Sequence, residues 1–303
     1  MILSVSRRTD VPALYADWFL ERVREGFVLV ANPFFPCGKV ARVEIRPVRV
    51  EENILGGREV SGNVDGIIFW TKNPRPLMER LDELSEFKYY FHFTLNGYGR
   101  DIERNVPPIE ERVATFRELA GRIGAERVIW RYDPILLSRN ITVGWQIERF
   151  EGLCKELRGF TNECNISFLI GKHSEFWTPS LGERDEILRN FARIARENGI
   201  QLKACALGND WAKYGIKQSR CTDPELFGKL CGGRVKTKRR DGQRKECMCM
   251  PCVDIGVYNT CTHGCVYCYA NGFYGYRGEP RSMRDKIEGE VYERKTERVF
   301  DYS

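Results

Sequence analysis

Short runs of β-branched and aromatic residues alternate with amphipathic stretches of helical period from the first residues onward. Eight runs read as strands: ILSVS, FVLVA, GIIFW, KYYFHFTL, RVIWRY, NISFLI, QLKACA and, far downstream, VDIGVYN. Most are apolar on both faces, as the strands of a parallel sheet covered on both sides are. The stretches between them carry helix punctuation. TDVPALYADWFLERVREG offers Thr9 or Asp10 as N-cap, Pro12 in the first turn and Gly26 as a stop. NPRPLMERLDELSE repeats the plan, with Leu77, Leu81 and Leu84 on one face. Further on, Ile109, Val113, Phe116, Ala120 and Ile123 align along one helix, and Ile187, Phe191 and Ala195 along another that ends before Gly199.

Strand and helix alternate for about 200 residues, so the chain is α/β. Because the unit recurs seven or eight times, a (β/α) barrel, TIM-like or partial, is expected rather than an open doubly wound sheet. The barrel repeats occupy 1–210, and a cysteine-rich segment, 211–303, supplies a closing strand, a cysteine loop and a charged C-terminal helix to the same domain. The poorly periodic region 40–64, with Gly56 and Gly57, reads as an excursion or a small hairpin.

Composition changes little in this picture. With 303 residues and 42% hydrophobic content the chain buries a sizeable core. Its net charge of +6 permits an anionic partner without demanding one. Much of the excess sits in RVKTKRRDGQRK, Arg234 to Lys245, either a solvated loop or a nucleic-acid contact. The N-terminus turns polar too soon for a signal peptide and no run has the ~20 apolar residues of a membrane span, so a cytoplasmic protein is expected.

Barrels place reactive groups at the C-terminal ends of their strands. Here those ends are polar: Ser6, Arg7, Arg8 and Asp10; Asn32; Thr71, Lys72 and Asn73; Thr94 and Asn96; Arg131, Tyr132 and Asp133. Each alone reads as a cap, a loop residue or a surface ion pair, but together they point to a polar cavity at one mouth. In WRYDP, Arg131 and Asp133 share one face of an extended segment.

Six of the 12 cysteines fall within residues 247–268. In a reducing compartment such density favours metal or redox chemistry over disulfides. Cys261, Cys265 and Cys268 have the spacing C-x3-C-x2-C, with aromatic Tyr267 before the last. Three thiolates on a short loop hold three corners of an iron-sulfur cube and leave one iron open. Zinc is the competing metal; it wants four closed ligands, for which His263 or an earlier cysteine would complete the trio.

This motif, on a loop leaving a strand of an α/β chain, resembles the signature of the radical S-adenosylmethionine enzymes. The resemblance implies that Cys261, Cys265 and Cys268 bind a 4Fe-4S cluster, that S-adenosylmethionine chelates the open iron, and that Tyr267 lies near the adenine. It also implies cleavage of S-adenosylmethionine to a 5'-deoxyadenosyl radical and an electron donor such as flavodoxin or ferredoxin. CTHGCVYCYAN is similar to the motif of spore photoproduct lyase, a DNA-repair member, which makes nucleic acid a candidate substrate class. SRRTD, FWTKNP, FTLNGYG, WRYDP and CVYCYAN together look like a family of prokaryotic proteins defined only as a domain of unknown function, covering nearly the whole chain.

The departure is position, since in most of the superfamily the cysteine loop follows the first strand and here it follows the last. First and last strands of a barrel are neighbours, so a circular permutation accounts for this. ILSVSRRTD then stands where the family has a Gly-Gly-Glu-like segment, with Arg7, Arg8 and Asp10 as substitute cofactor contacts or as caps around the first helix. Asn73 and Asn96 join them as cofactor-binding candidates, and Arg131 and Asp133 as catalytic ones. Cys205, Cys221, Cys247 and Cys249, with Cys231 and Cys252 in reserve, read as a second iron-sulfur or zinc site. Cys37, Cys154 and Cys164 are isolated, Cys154 on the apolar side of a helix. His92 reads as an interior histidine and His173 as a loop residue near the mouth. The rival function is a zinc-stabilised barrel hydrolase or binding protein.

Overall fold

The computed structural model describes residues 1–31, 40–52, 58–170, 175–205, 209–233, 247–271 and 300–301. Its strands are β1 (Ile2–Val5), β2 (Phe27–Ala31), β3 (Val40–Glu44), β4 (Arg49–Glu52), β5 (Arg58–Ser61), β6 (Gly66–Thr71), β7 (Tyr89–Thr94), β8 (Val128–Ile135), β9 (Glu163–Phe168), β10 (Gln201–Ala204), β11 (Lys217–Gln218), β12 (Val253–Asp254) and β13 (Phe300–Asp301). The helices are α1 (Val11–Leu14), α2 (Ala16–Glu25), α3 (Arg75–Met78), α4 (Ile109–Ile123), α5 (Val143–Leu157), α6 (Leu181–Glu197) and α7 (Pro224–Leu230).

Eight strands form one parallel sheet in the order β12-β1-β6-β7-β8-β9-β10-β11. From β1 to β11 the order never reverses. Right-handed crossovers then put every connecting helix on the same side, leaving the other face for something else to cover. Seven of the eight expected strands lie in this sheet. The eighth, FVLVA, does not: as β2 it pairs antiparallel with β3 in a separate small sheet, and β4 and β5 form a hairpin in the region read as an excursion. The run is apolar enough for the core, but it follows α2 after a single glycine, Gly26 in the left-handed conformation at φ 77°, and turns away toward β3. Leu3↔Val253 and Ser4↔Asp254 set the last strand of the sheet beside the first, the adjacency expected of them. β11 and β12 are the two edges, and pairing that would close the sheet into a ring is not seen among the described residues.

On the helix side, Phe69, Phe91, Phe93, Trp130 and Tyr132 pack against Phe19, Phe116, Phe150 and Phe191. Phe150 stacks on Phe191 at 3.8 Å and on Trp130 at 5.1 Å. The face of α4 carrying Val113, Phe116 and Ala120 and that of α6 carrying Ile187, Phe191 and Ala195 are buried as their periodicity requires. Asp10 is the first N-cap, accepting from the Ala13 amide at 3.1 Å. The helix expected from Asn73 to Glu86 is broken into α3 and a 3-10 turn at Leu81–Leu84, although Leu77 and Leu84 still reach the core.

The opposite face has its own layer: Ile2, Ile68, Tyr90 and Ile129 lie under Phe227 of α7 and Met250. The cysteine-rich segment therefore supplies both edge strands of the sheet and this cover. Asn32, Cys37, Gly56, Gly57, His173, the basic run 234–245 and most of the charged C-terminal segment lie outside the described residues. No helix among the described residues is long and apolar enough to cross a membrane.

Gly66 gives this cover a sharp test, because a Cβ there would sit 2.1 Å from Cε1 of Phe227. Phe227→Ala is expected to cost about 3–5 kcal/mol, as fully buried phenylalanines do. Gly66→Ala also destabilises, but adds little once the ring is gone. Denaturant midpoints of the two single variants and the double variant read this directly; additive losses would place Phe227 elsewhere.

Candidate functional site

A cavity of about 470 Å3 opens at the C-terminal ends of the eight parallel strands. Its wall takes Ser6 to Asp10 after β1, Trp70 to Lys72 at β6, Thr94 from β7, Arg131 and Asp133 from β8, and Ser167 to Ile170 at the end of β9. Cys205 after β10, Cys221 after β11 and the loop of Cys261, Cys265 and Cys268 after β12 complete it. The polar strand ends and both cysteine sets singled out in the sequence thus meet around one space.

Three carboxylates hold this rim together. Asp254, in β12, accepts from Ser4 Oγ at 2.8 Å, Ser6 Oγ at 2.5 Å and the backbone N–H of Arg7 at 2.8 Å, which fastens β12 to the turn leaving β1. Close approach there demands Gly256, since a Cβ would lie 1.9 Å from Ser6 Oγ. Asp10 accepts from the amide of Lys72 at 2.7 Å and meets His263 Nε2 at 2.7 Å, so one side chain links the ends of β1 and β6 to the cysteine loop.

The third carboxylate, Glu103, was not singled out in the sequence. It lies in the connection from β7 to α4, is 1% exposed, and takes hydrogen bonds from Lys72 Nζ at 2.7 Å, Arg112 at 2.8 Å, Asn96 at 3.1 Å and the hydroxyl of Tyr267. Burial works against its charge, but Lys72 and Arg112 outweigh that and bring its pKa down to about 2. Its backbone also bridges Cys265, and the neighbouring amides of Val266 and Asn105 bond to Ile102 O and His263 O at 3.0 and 2.9 Å. Residues 102–105 are therefore a ledge on which the cysteine loop rests. An acidic residue between a strand end and a helix is the only sequence signal for Glu103, and many surface glutamates share it.

The other candidates fall into place around this frame. Tyr267 is half-buried with its ring edge-on to Tyr98 at 6.0 Å. Asn96 is fully buried: its amide donates to Glu103, Asp133 O and Tyr267, while its oxygen accepts from Asp133 N at 2.8 Å. Asn73 does not line the cavity, and its side chain accepts from Arg75 N at 3.3 Å. Arg7 reaches Cys252 Sγ at 2.6 Å and lies over Trp70, and Arg8 donates to the carbonyls of Asp254 and Gly256. Arg131 pairs with Asp133, which also accepts from Ser167 Oγ, and donates to Cys221 Sγ at 3.3 Å. Burial opposes the charge of Arg131, but Asp133 and the nearby sulfurs hold its pKa above the ordinary value. His92 stacks on Trp70 at 4.3 Å, and burial lowers its pKa to about 4.

The donor set of the C-terminal loop suits a soft metal. Burial pushes the thiols of Cys261 and Cys265 up to about 12, and a bound metal's charge would favour their thiolates. Among the described residues no three His, Cys, Asp or Glu side chains are gathered tightly enough to hold a single ion. A cubane asks for less crowding, because each thiolate binds a different iron. His263, the fourth ligand considered for zinc, has its Nε2 turned to Asp10.

Fold and site together define an α/β protein whose parallel strand ends frame a cysteine-lined cavity. The chain belongs to the family described as Domain of unknown function (DUF1848), which matches over residues 2–270 and so takes in the whole parallel sheet and both cysteine sets. No curated protein and no solved structure matches it.

Glu103→Gln is expected to cost about 3–5 kcal/mol, since it leaves buried Arg112 and half-buried Lys72 opposite a neutral amide. Glu186→Gln, on the exposed face of α6, is the control and should stay within about 0.5 kcal/mol of the parent. Equal denaturation midpoints for the two would remove Glu103 from the role given it here.

Proposed function

We propose that the protein is a radical S-adenosylmethionine enzyme, with Cys261, Cys265 and Cys268 holding a 4Fe-4S cluster at one side of the cavity. The observation that carries this reading is the cysteine trio on a loop at the C-terminal end of a strand that pairs with β1, opening onto a cavity framed by eight parallel strand ends. When bound, the cluster and S-adenosylmethionine supply a carbon radical that takes a hydrogen atom from substrate.

The chain's own part is to bind and orient. Glu103, Lys72, Asn96 and Tyr267 fix the loop whose three cysteines line the cavity. Arg7 and Arg8 bring positive charge to the cavity wall, where they would attract the cofactor's carboxylate, and Asp254 keeps both guanidiniums in place. Asp10 has its carboxylate engaged by Ala13, Lys72 and His263, so its part is to position the loop. Arg131 and Asp133 orient the substrate from the cavity wall. The sheet is read as a permuted part-barrel, in which β12 takes the place of the superfamily's usual first strand. An electron donor such as flavodoxin or ferredoxin supplies the reducing equivalent.

The test is anaerobic reconstitution with iron and sulfide followed by reduction in the presence of S-adenosylmethionine. The parent should be brown and form 5'-deoxyadenosine, and Cys261→Ala, Cys265→Ala and Cys268→Ala should each fall to the background rate while staying folded. A colourless protein carrying stoichiometric zinc would overturn the proposal in favour of a zinc-stabilised hydrolase or binding protein.

A further inference from the structure

Of the cysteines outside the C-terminal loop, two kinds are distinguished by what surrounds them. Cys154 and Cys164 are absorbed into the large helix-side core among aliphatic and aromatic side chains, as buried cysteines acting as small hydrophobes are. Cys221, Cys247 and Cys249 are also buried, yet they form a cluster of their own, with Cys205 and Trp70 as the partly buried hydrophobic residues packed against it. Core filling does not explain three cysteines that pack on each other.

The thiols come from separate places in the chain. Cys205 follows β10, with its amide bonded to Ile166 O at 3.0 Å. Cys221 follows β11, and Cys247 and Cys249 lie in an extended stretch before β12. Cys221 is the centre of the group, its sulfur within hydrogen-bonding reach of the thiols of both Cys205 and Cys249. Donors are aimed at the sulfurs: the amide of Cys221 at Cys249 Sγ, 3.1 Å away, and the guanidinium of Arg131 at Cys221 Sγ, 3.3 Å away. Such donors support metal-bound thiolates. Polar atoms close by are buried without a partner: Thr222 Oγ1, next in the chain; Nδ1 of His92, whose Nε2 meets Cys221 O at 2.7 Å; and the side-chain amide of Asn165, the register neighbour of Arg131. Four of the eight such atoms among the described residues lie here, the others being Thr9 Oγ1, Arg22 Nε, Arg112 Nε and Asn271 Oδ1, and this concentration points to an occupant beyond the protein atoms.

We propose that Cys205, Cys221, Cys247 and Cys249 bind a second iron-sulfur cluster in the wall of the same cavity, each thiolate on a different iron, since they are not gathered tightly enough for a single zinc ion. Four protein ligands close its coordination, in contrast to the trio, so it fastens the chain and tunes the cavity's charge rather than binding substrate. It clips two segments with little regular structure, 219–222 and 247–250, onto the end of β10. Through Arg131 its charge bears on Asp133. Cys231 and Cys252 stand apart: Cys231 is exposed with its thiol 3.5 Å from Asp65 O, and Cys252 accepts from Arg7. The assignment is independent of what the C-terminal loop holds.

The experiment uses the full chain with Cys261, Cys265 and Cys268 all changed to Ala, prepared anaerobically and analysed for zinc, iron and sulfide. Colourless protein with stoichiometric zinc would overturn the proposal; a brown iron-sulfur cluster should remain. Adding Cys221→Ala should remove it, while adding Cys231→Ala or Cys252→Ala should not. If the multiple variant does not fold by circular dichroism, Cys249→Ala in the otherwise native chain decides: part of the total metal is lost while the metal of the first centre stays. A folded triple variant with no metal, or full metal content after Cys249→Ala in the native chain, overturns the proposal.

Discussion

The buried carboxylate of Glu103 ties the cysteine loop to the end of β6, to the connection after β7 and to α4. A lone charge at that depth would be strongly unfavourable. It is tolerated because Lys72 from the end of β6 and Arg112 from α4 bring two cations to it, and Asn96 and Tyr267 complete its hydrogen bonding. The same bonds are what locate the loop. Tyr267 precedes Cys268 by one residue, and the Glu103 backbone bridges Cys265, so the position of two cysteines follows from electrostatic satisfaction of one group. Asp10 and Asp254 repeat the device on a smaller scale at the junction of β1, β6 and β12.

The order of the strands makes the space that this loop closes. A sheet wound in one direction keeps its helices on one side and its strand ends in one row. The helix side is filled by stacked aromatics, while the other side divides along its length: apolar under Phe227 and Met250, polar toward the strand ends. That division is written in alternate residues of the strands, Ile68 then Trp70, Tyr90 then His92, Ile129 then Arg131, each pair pointing to the same face one layer apart. The cavity is therefore a consequence of strand period and winding, and the cysteines arrive at it from the ends of β10 and of the two edge strands.

Much of this was legible in the chain. The apolar runs of β1, β6, β7, β8, β9 and β10, the apolar faces of α4 and α6 and the adjacency of the first and last sheet strands follow from periodicity and from the cysteine loop's position. Cys221, Cys247 and Cys249, distant in the chain from Cys205, pack together with it beside them. What was not legible depended on pairing rather than pattern. FVLVA has the composition of a core strand, and only its partner β3 takes it out of the parallel sheet. β11 and α7 are too short to show a period. Glu103 and Arg112 look like surface residues until the fold buries them against each other, and Asn96, read as a cofactor contact, proves to be wholly engaged in the frame around Glu103 and Asp133.

The central claim is that the loop of Cys261, Cys265 and Cys268 presents a metal centre with an open position toward the cavity. Low-temperature electron paramagnetic resonance of the anaerobically reduced protein tests it most directly. A signal from a reduced four-iron cluster that changes shape when S-adenosylmethionine is added, and disappears in Cys265→Ala, is the predicted result. A reduced cluster whose signal is indifferent to S-adenosylmethionine, or a protein with no such signal after reconstitution, would contradict the account.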